Sequence, residues 1–124
     1  MKPVLIVEDN KDLQNIYKIA FDSAHITTVI KGSGLEALAE IAEINPSLVL
    51  LDLLMPDIGG FKFMELMNEK TSLKIPVIVC SNLSDKDSLA RCNELGCLDY
   101  IIKADVDISD IVKKVKDFLE ENKG

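Results

Sequence analysis

The sequence predicts an α/β fold: a doubly wound, five-stranded parallel sheet with five helices covering its two faces. Short aliphatic runs alternate with longer amphipathic runs along the 124 residues. The aliphatic runs are nearly continuous in apolar residues, as strands buried on both faces require. Parallel strands that alternate with helices connect by right-handed crossovers, and this connection builds the doubly wound arrangement.

The first four elements follow from their residue patterns. Residues 3–7 form a short apolar run, which predicts a buried strand. Residues 12–24 repeat apolar side chains at helical spacing, and residues 25–30 form a more polar strand that suits a sheet edge. Residues 34–44 predict a second helix, which ends before an Asn-Pro pair because the residue before proline disfavours helix.

The central elements continue the alternation. Residues 47–51 form an uninterrupted apolar run that predicts the third strand. Residues 60–68 predict a third helix, because three bulky apolar side chains share one of its faces. Residues 76–80 begin with proline and continue in aliphatic residues, so they predict the fourth strand.

The last third of the chain supplies two helices and a strand. Ser84 is the expected N-cap of a fourth helix that ends near Gly96. Residues 98–102 predict the fifth strand, and residues 108–119 predict a fifth helix with five apolar side chains in register. The apolar stripe of the fourth helix is weak, which suits either a mobile element or a marginal surface helix.

Charge and cysteine content exclude several classes of protein. Lys plus Arg number 14 and Asp plus Glu number 21, for a formal net charge of −7, which disfavours binding to nucleic acids or anionic membranes. No apolar run approaches the ~20 residues of a membrane helix, and no secretory signal is present, so we expect a cytoplasmic protein. Cys80, Cys92 and Cys97 are odd in number, which predicts reduced thiols rather than a disulfide framework.

Polar residues follow the predicted strands at the edge where such folds bind ligands. Glu8 and Asp9 follow the first strand, Asp52 the third, Ser81 the fourth and Lys103 the fifth. Each residue taken alone is an ordinary cap, turn or solvated side chain. Three converging carboxylates, however, repel one another and raise one another's pKa values. Their convergence therefore predicts a bound metal ion, a paired lysine, or both.

Four segments carry a specific resemblance to a known family: residues 4–10, 46–60, 77–81 and 96–103. In their order and spacing the chain resembles the response-regulator receiver domain of bacterial two-component signalling, and is similar to its single-domain, chemotaxis-type members. An aspartate after an apolar strand, with Pro56 four residues on and Gly60 beyond, is the most specific feature. The resemblance implies a flavodoxin-like sheet of strand order 2-1-3-4-5. It covers essentially residues 1–124, so we expect a single receiver domain with no effector domain.

The resemblance also assigns a metal site and a phosphoryl acceptor. Asp52 would accept the phosphoryl group. Glu8, Asp9 and Asp52 would bind Mg²⁺, or Mn²⁺ in its place, together with the backbone carbonyl of Leu54. These ligand types suit Mg²⁺, which prefers few carboxylates together with water and phosphate oxygens.

The resemblance further implies a signalling switch rather than an enzyme with its own substrate. Lys103 would pair with the phosphoryl group, Ser81 would donate a hydrogen bond to it, and Tyr100 would move between exposed and buried positions. The donor would be a sensor histidine kinase or a histidine phosphotransfer protein. The output would pass to a separate protein through the face of the fourth helix, fifth strand and fifth helix. A monomer or weak dimer is expected.

The chain departs from the family's pattern at several positions. Ala104 follows Lys103 where the family usually has proline after a cis peptide bond, and we expect the cis geometry to persist. Asn82 replaces a small residue and is expected to narrow access to Asp52. Leu54 and Leu83 flank the expected phosphoryl site with apolar side chains that cannot orient a hydrolytic water, which predicts altered self-dephosphorylation. Paired glycines at 59 and 60 are expected to loosen their loop.

Three alternative functions compete with the signalling switch. A flavin-binding protein of the same topology would need a phosphate loop after the first strand, where this chain has acids instead. An aspartate-nucleophile phosphatase would need a second acid at position 54, which is Leu54. A degenerate receiver that acts as a phosphorylation-independent interaction module is the serious alternative.

Overall fold

The computed structural model describes residues 2–70, 74–83 and 85–121 of the chain. Five parallel strands form one sheet in the order β2-β1-β3-β4-β5, which confirms the predicted fold class and strand order. The strands are β1 (Val4–Val7), β2 (Thr28–Lys31), β3 (Leu48–Leu51), β4 (Val77–Ser81) and β5 (Asp99–Ile102). The helices are α1 (Lys11–Ser23), α2 (Gly34–Ile44), α3 (Gly60–Lys70), α4 (Lys86–Leu95) and α5 (Ile108–Glu121).

Two apolar layers hold the sheet, one on each face. Successive side chains of a strand point to opposite faces. Leu5 and Val7 of β1 therefore join the layer under α2, α3 and α4, while Val4 and Ile6 join the layer under α1 and α5. All four are at most 1% exposed, and β3 divides its residues in the same way. This two-sided burial explains why the central strands show no polar alternation in the sequence.

Element boundaries differ from the prediction mainly where local turns intervene. The strand predicted at residues 25–30 begins at Thr28, because His25 adopts a left-handed conformation (φ 60°) and donates its N–H to the Asp22 carbonyl. The N-cap of α4 is Asp85, whose carboxylate accepts the Ser88 N–H at 3.0 Å. The predicted cap Ser84 lies outside the described residues.

The structure joins Cys92 and Cys97 in a disulfide, so the expectation of three reduced thiols is wrong. Helix α4 is capped by Gly96 at φ 81°, a left-handed conformation that glycine adopts readily. The turn lets the Cys97 N–H donate to the Cys92 carbonyl at 3.0 Å and leaves the two Cα atoms 5.2 Å apart, a distance that a disulfide spans. Residues five apart do not share a helix face, so helical periodicity gave no sign of this pair. Cys80 is a buried free thiol.

Within the described ranges, none of the helices combines the length and the hydropathy that crossing a membrane would require.

Candidate metal and phosphoryl site

An open cleft of about 520 Å³ lies at the carboxyl edge of the sheet, where β1, β3 and β5 end. Four acidic side chains line the cleft. Among the described residues that line it, Lys103 is the one cation. Parallel strands bring these residues together, since all of their carboxyl ends meet at one edge. Leu13 and Ile16 of α1 form an apolar wall of the same cleft.

Glu8, Asp9 and Asp52 form one acidic cluster. One carboxylate oxygen from each lies within 4.8 Å of the other two, a spacing that could hold a metal ion. Glu8 and Asp52 are buried at 2% and 8% exposure, whereas Asp9 is exposed. Hard oxygen ligands of this kind suit Mg²⁺ or Mn²⁺ rather than a soft, thiolate-bound metal. The cluster therefore fits the divalent cation that the sequence analysis expects.

Lys103 bridges the two buried acids. Its Nζ lies 2.7 Å from Glu8 Oε1 and 3.2 Å from Asp52 Oδ2. Burial favours the neutral amine, but the hydrogen bond to Glu8 and the charges of Asp52 and Glu8 outweigh it, so the pKa of Lys103 is raised above its ordinary value. Lys103 is thus a fixed positive charge at the Asp52 carboxylate.

Backbone N–H groups hold the second oxygen of each buried acid. Asn10 donates its N–H to Glu8 Oε2 at 3.1 Å, and its own side chain caps α1 by accepting the Leu13 N–H at 2.9 Å. Leu54 donates its N–H to Asp52 Oδ1 at 3.1 Å, which keeps the backbone at position 54 beside the carboxylate. Asp52 Oδ2 therefore faces Lys103 while Oδ1 faces the loop that follows β3.

The loop after β3 is anchored by Asp57, a residue without a predicted role. Its carboxylate accepts the Ser33 hydroxyl at 2.5 Å and the N–H groups of Leu35 at 2.9 Å and Gly34 at 3.3 Å. Burial would raise the pKa of Asp57, but hydrogen bonds, chiefly from the Leu35 N–H and the Ser33 hydroxyl, lower it well below the usual range. A carboxylate is stabilised at this position because it meets the positive end of α2. The feature of the sequence that could have identified Asp57 is its position five residues after Asp52.

Gly60 packs the start of α3 directly beneath the site. A Cβ at this position would lie 2.8 Å from Leu53 Cα and 2.9 Å from the Asp52 carbonyl oxygen. A Cβ at Gly59 would meet nothing closer than 3.9 Å. Gly60 therefore permits a close backbone approach, which is a tighter role than the loosening of the loop predicted for both glycines.

Ser81 and Tyr100 stand apart from the cleft. Ser81 is fully buried at the end of β4, and its Oγ accepts the Leu83 N–H at 3.3 Å. Tyr100 is half-buried in β5 and donates its hydroxyl to the Leu83 carbonyl at 2.6 Å. Burial, then the charges of Asp85 and Asp52, raise the pKa of Tyr100. Both side chains thus bond to the Leu83 backbone just after β4, and neither lines the acidic cleft.

The Lys103–Ala104 peptide bond is trans, so the expected cis geometry is wrong. Alanine keeps the N–H that proline lacks, and Ala104 donates it to Asn82 Oδ1 at 2.9 Å. A cis bond before alanine would cost about 3–4 kcal/mol. Asn82 therefore ties the loop after β4 to the segment after β5, and it also lines the cleft. The expectation that it narrows access to Asp52 stays a prediction.

The two apolar residues expected to flank the site differ in position. Leu54 is 58% exposed and donates its backbone N–H to Asp52, but its side chain is not among those that line the cleft. Leu83 is partly buried against the apolar layer under α2, α3 and α4 and does not line the cleft. Neither side chain lines the cleft, so the expectation that both flank the phosphoryl site and alter self-dephosphorylation stays a prediction.

The strand order, with an acidic cluster and a lysine at the carboxyl edge, defines a flavodoxin-like α/β domain with a candidate divalent-cation site. The response regulator receiver domain family matches residues 4–116, so the chain belongs to that family. It is a receiver domain of two-component signalling, a family of switches rather than of enzymes with separate substrates.

Relatives support this assignment across most of the chain. The polar-differentiation response regulator DivK of Brucella ovis is 29% identical over 119 residues, which span 95% of this chain and 96% of that protein. The fold is similar to that of a CheY-like receiver domain protein from Methanospirillum hungatei (TM-score 0.87, 24% identity, 98% of this chain and 95% of that one). It is also similar to the Mn²⁺-bound form of response regulator Rcp1 (TM-score 0.84, 26% identity, 100% and 98%).

Proposed function

We propose that this receiver domain is a phosphorylation-activated switch that accepts a phosphoryl group on Asp52 in the presence of Mg²⁺. The observation that carries the proposal is the pairing of Asp52 Oδ2 with the Lys103 ammonium at 3.2 Å, inside a cluster of three carboxylates that could hold a cation. A lone buried acid would lack the positive charge that a phosphoryl group requires.

Asp52 acts as the nucleophile. One carboxylate oxygen forms a bond to phosphorus while the bond from phosphorus to the donor breaks, whether that donor is a phosphohistidine nitrogen or an acyl phosphate oxygen. Carboxylates are weak nucleophiles, but phosphoryl transfer depends mainly on alignment and on stabilisation of charge at the equatorial oxygens. Lys103 supplies one fixed positive charge there and stays protonated, since its pKa is raised.

Glu8, Asp9, Asp52 and the Leu54 carbonyl are the ligands that we propose for Mg²⁺, with Mn²⁺ as a substitute. When bound, the ion neutralises negative charge on the phosphoryl oxygens and so supplies a second positive centre. The Mn²⁺-bound form of the relative Rcp1 supports an ion of this class. Glu8 is held by Lys103 and by the Asn10 N–H, so the exposed Asp9 is the most accessible of the three acids.

The switch consists of contacts that exist only after phosphorylation. We propose that the Ser81 hydroxyl leaves the Leu83 N–H and donates to a phosphoryl oxygen, while Tyr100 exchanges its bond to the Leu83 carbonyl for a buried position. Moving an equilibrium from 1:99 to 99:1 needs ~5.5 kcal/mol. Charge-assisted hydrogen bonds contribute roughly 1.5–3 kcal/mol each, so the new bond from Ser81 supplies a large part of this difference. Lys103 already pairs with Asp52 and Glu8, and it adds what its bond to the phosphoryl group gains over those ion pairs.

The phosphoryl donor in this proposal is a sensor histidine kinase or a histidine phosphotransfer protein, and the receiver itself works in the cytoplasm. Ile16 and Ile19 of α1 are 47% and 68% exposed, and Ile16 borders the acidic cleft, which gives a donor an apolar surface beside Asp52. Output passes to a separate protein through the face of α4, β5 and α5, with the receiver acting as a monomer or weak dimer.

Intact mass spectrometry after incubation with acetyl phosphate and Mg²⁺ tests the proposal. We expect the wild-type chain to gain the mass of one phosphoryl group, and the Asp52→Asn variant to gain none. Asp117→Asn is the matched control, because it makes the same substitution at an exposed position on α5. Chelation of the divalent cation should abolish the gain.

Two results would contradict the proposal. Absence of any mass gain in the wild-type chain would favour a phosphorylation-independent interaction module. A gain that persists in Asp52→Asn would place the modification on another residue.

A further inference from the structure

We infer that Cys92 and Cys97 form a reversible dithiol–disulfide couple whose oxidation state controls the order of the junction between α4 and β5. This inference goes beyond the proposed function and does not depend on phosphoryl transfer. It rests on the placement of the two cysteines at the end of one helix and on the difference in their exposure.

The helix end itself builds the pair. Cys97 donates its N–H to the Cys92 carbonyl at 3.0 Å, and Gly96 donates its N–H to the Asn93 carbonyl at 3.1 Å, the two hydrogen bonds of a glycine-terminated helix end. Such an end brings the side chains of the two outer residues together, usually as an apolar contact. In this chain both are cysteines, and their Cα atoms lie 5.2 Å apart. The backbone thus brings the two sulfurs within bonding reach without any distant contact.

Exposure gives the two sulfurs different roles. Cys97 is partly exposed, whereas Cys92 is 3% exposed and lies in the apolar layer, so a soluble thiol or disulfide approaches the pair from the Cys97 side. The Cys97 sulfur also lies 3.7 Å from the sulfur of Met64 on α3. Cys97 therefore attacks the oxidant and is in turn attacked by a reductant, and Cys92 is the resolving residue that closes the disulfide.

The exchange balances with glutathione disulfide as oxidant. The Cys97 thiolate attacks one sulfur of glutathione disulfide, a mixed disulfide forms, and one glutathione thiolate leaves. The Cys92 thiolate then attacks the Cys97 sulfur, and the second glutathione leaves. The two cysteines lose two electrons and two protons, which glutathione disulfide gains to become two glutathione molecules. A dithiol reductant restores both thiols: one of its sulfurs attacks Cys97 and displaces the Cys92 thiolate, and its second sulfur then displaces the Cys97 thiolate and closes the reductant's own disulfide.

The couple acts on the surface proposed for output. The disulfide closes a loop that joins the last turn of α4 to the residues before β5, and Leu98 in that connection donates its N–H to the Val77 carbonyl at 2.8 Å. Cys97 packs against the same apolar layer as Tyr100 and Leu95. Reduction frees this connection, so the end of α4 opens more often.

Thiol counting after oxidation tests the couple. The protein is incubated with glutathione disulfide, denatured, and labelled with N-ethylmaleimide for intact mass and peptide mapping. We expect one label on the wild-type chain, at Cys80, and three after full reduction. Cys80→Ala should carry no label after oxidation and two labels after full reduction. Cys97→Ser should carry two labels under both conditions. Cys97→Ala replaces the serine variant if that protein does not fold.

Amide hydrogen exchange tests the control of order. A disulfide that closes a loop of about six residues lowers the number of conformations open to that segment by a factor of roughly 40. Protection of the Cys97 and Leu98 amides should therefore fall by up to that factor on reduction, in the wild-type and Cys80→Ala proteins alike. Three labels after oxidation, a stable glutathione adduct without ring closure, or a disulfide mapped to Cys80 would each overturn the couple. A change in protection of less than about threefold would overturn its control of the junction.

Discussion

Substitution of Asp57 by asparagine should measurably destabilise the receiver, although Asp57 lies outside the acidic cluster. Its carboxylate accepts hydrogen bonds from the Ser33 hydroxyl and from the N–H groups of Gly34 and Leu35. It thereby fastens the loop that carries Leu54 to the first turn of α2. Asparagine keeps one acceptor oxygen but loses the other, together with the negative charge.

The size of the effect follows from those contacts. One lost hydrogen bond contributes about 0.5–1.5 kcal/mol, and a charge at a helix N-terminus about 0.3–1 kcal/mol. Asp57 is exposed, so solvent screening reduces the sum. We expect Asp57→Asn to lower the free energy of unfolding by about 1.5 kcal/mol near neutral pH, which corresponds to a fall in Tm of roughly 6 °C for a chain of this length.

The pH dependence gives the stricter test. Since the folded-state pKa of Asp57 is depressed below the ordinary 3.8, its contribution is present above that value and lost as the pH falls towards the folded pKa. Urea unfolding of wild type and variant should therefore differ by a constant amount above about pH 5, and the difference should shrink below about pH 4. Asp117→Asn on α5 is the matched control. An Asp57→Asn effect no larger than that of the control, or one that grows on acidification, would refute this reasoning.

Three further substitutions probe the site and its supports. Lys103→Ala leaves the two buried acids without their cationic partner and should lower the free energy of unfolding by about 3 kcal/mol. In urea unfolding, millimolar Mg²⁺ should restore more stability to this variant than it adds to wild type. Gly60→Ala should cost about 2 kcal/mol in the same assay because its Cβ meets backbone atoms, and Gly59→Ala should cost far less; equal costs would contradict the close approach. Tyr100→Phe removes one hydrogen bond and should cost about 1 kcal/mol, an unchanged Tm being the contrary result.

The sequence by itself predicted the fold class, because alternating aliphatic and amphipathic runs favour a parallel sheet covered by helices, and the family resemblance added the strand order. Strands without polar alternation must be buried on both faces, and helices between parallel strands must cover those faces. That arrangement brings Glu8, Asp9, Asp52 and Lys103 to one edge, since the carboxyl ends of parallel strands coincide. The structure confirms the strand order and places these four side chains around one cleft.

Only the tertiary structure decided the contacts between loops. Asp57 and Ser33 lie 24 residues apart, and Asn82 and Ala104 lie 22 apart, so no local period links them. The hydrogen bond from the Ala104 N–H to Asn82 accompanies the trans Lys103–Ala104 peptide, which the family resemblance did not predict.

The disulfide was missed for a different reason. The pairing of Cys92 with Cys97 depends on one left-handed residue, Gly96, which turns the chain back on itself. Hydrophobic periodicity records which face a residue occupies. It carries no information about a single backbone dihedral or about which polar groups meet across loops, and those contacts were set by how the helices and strands pack.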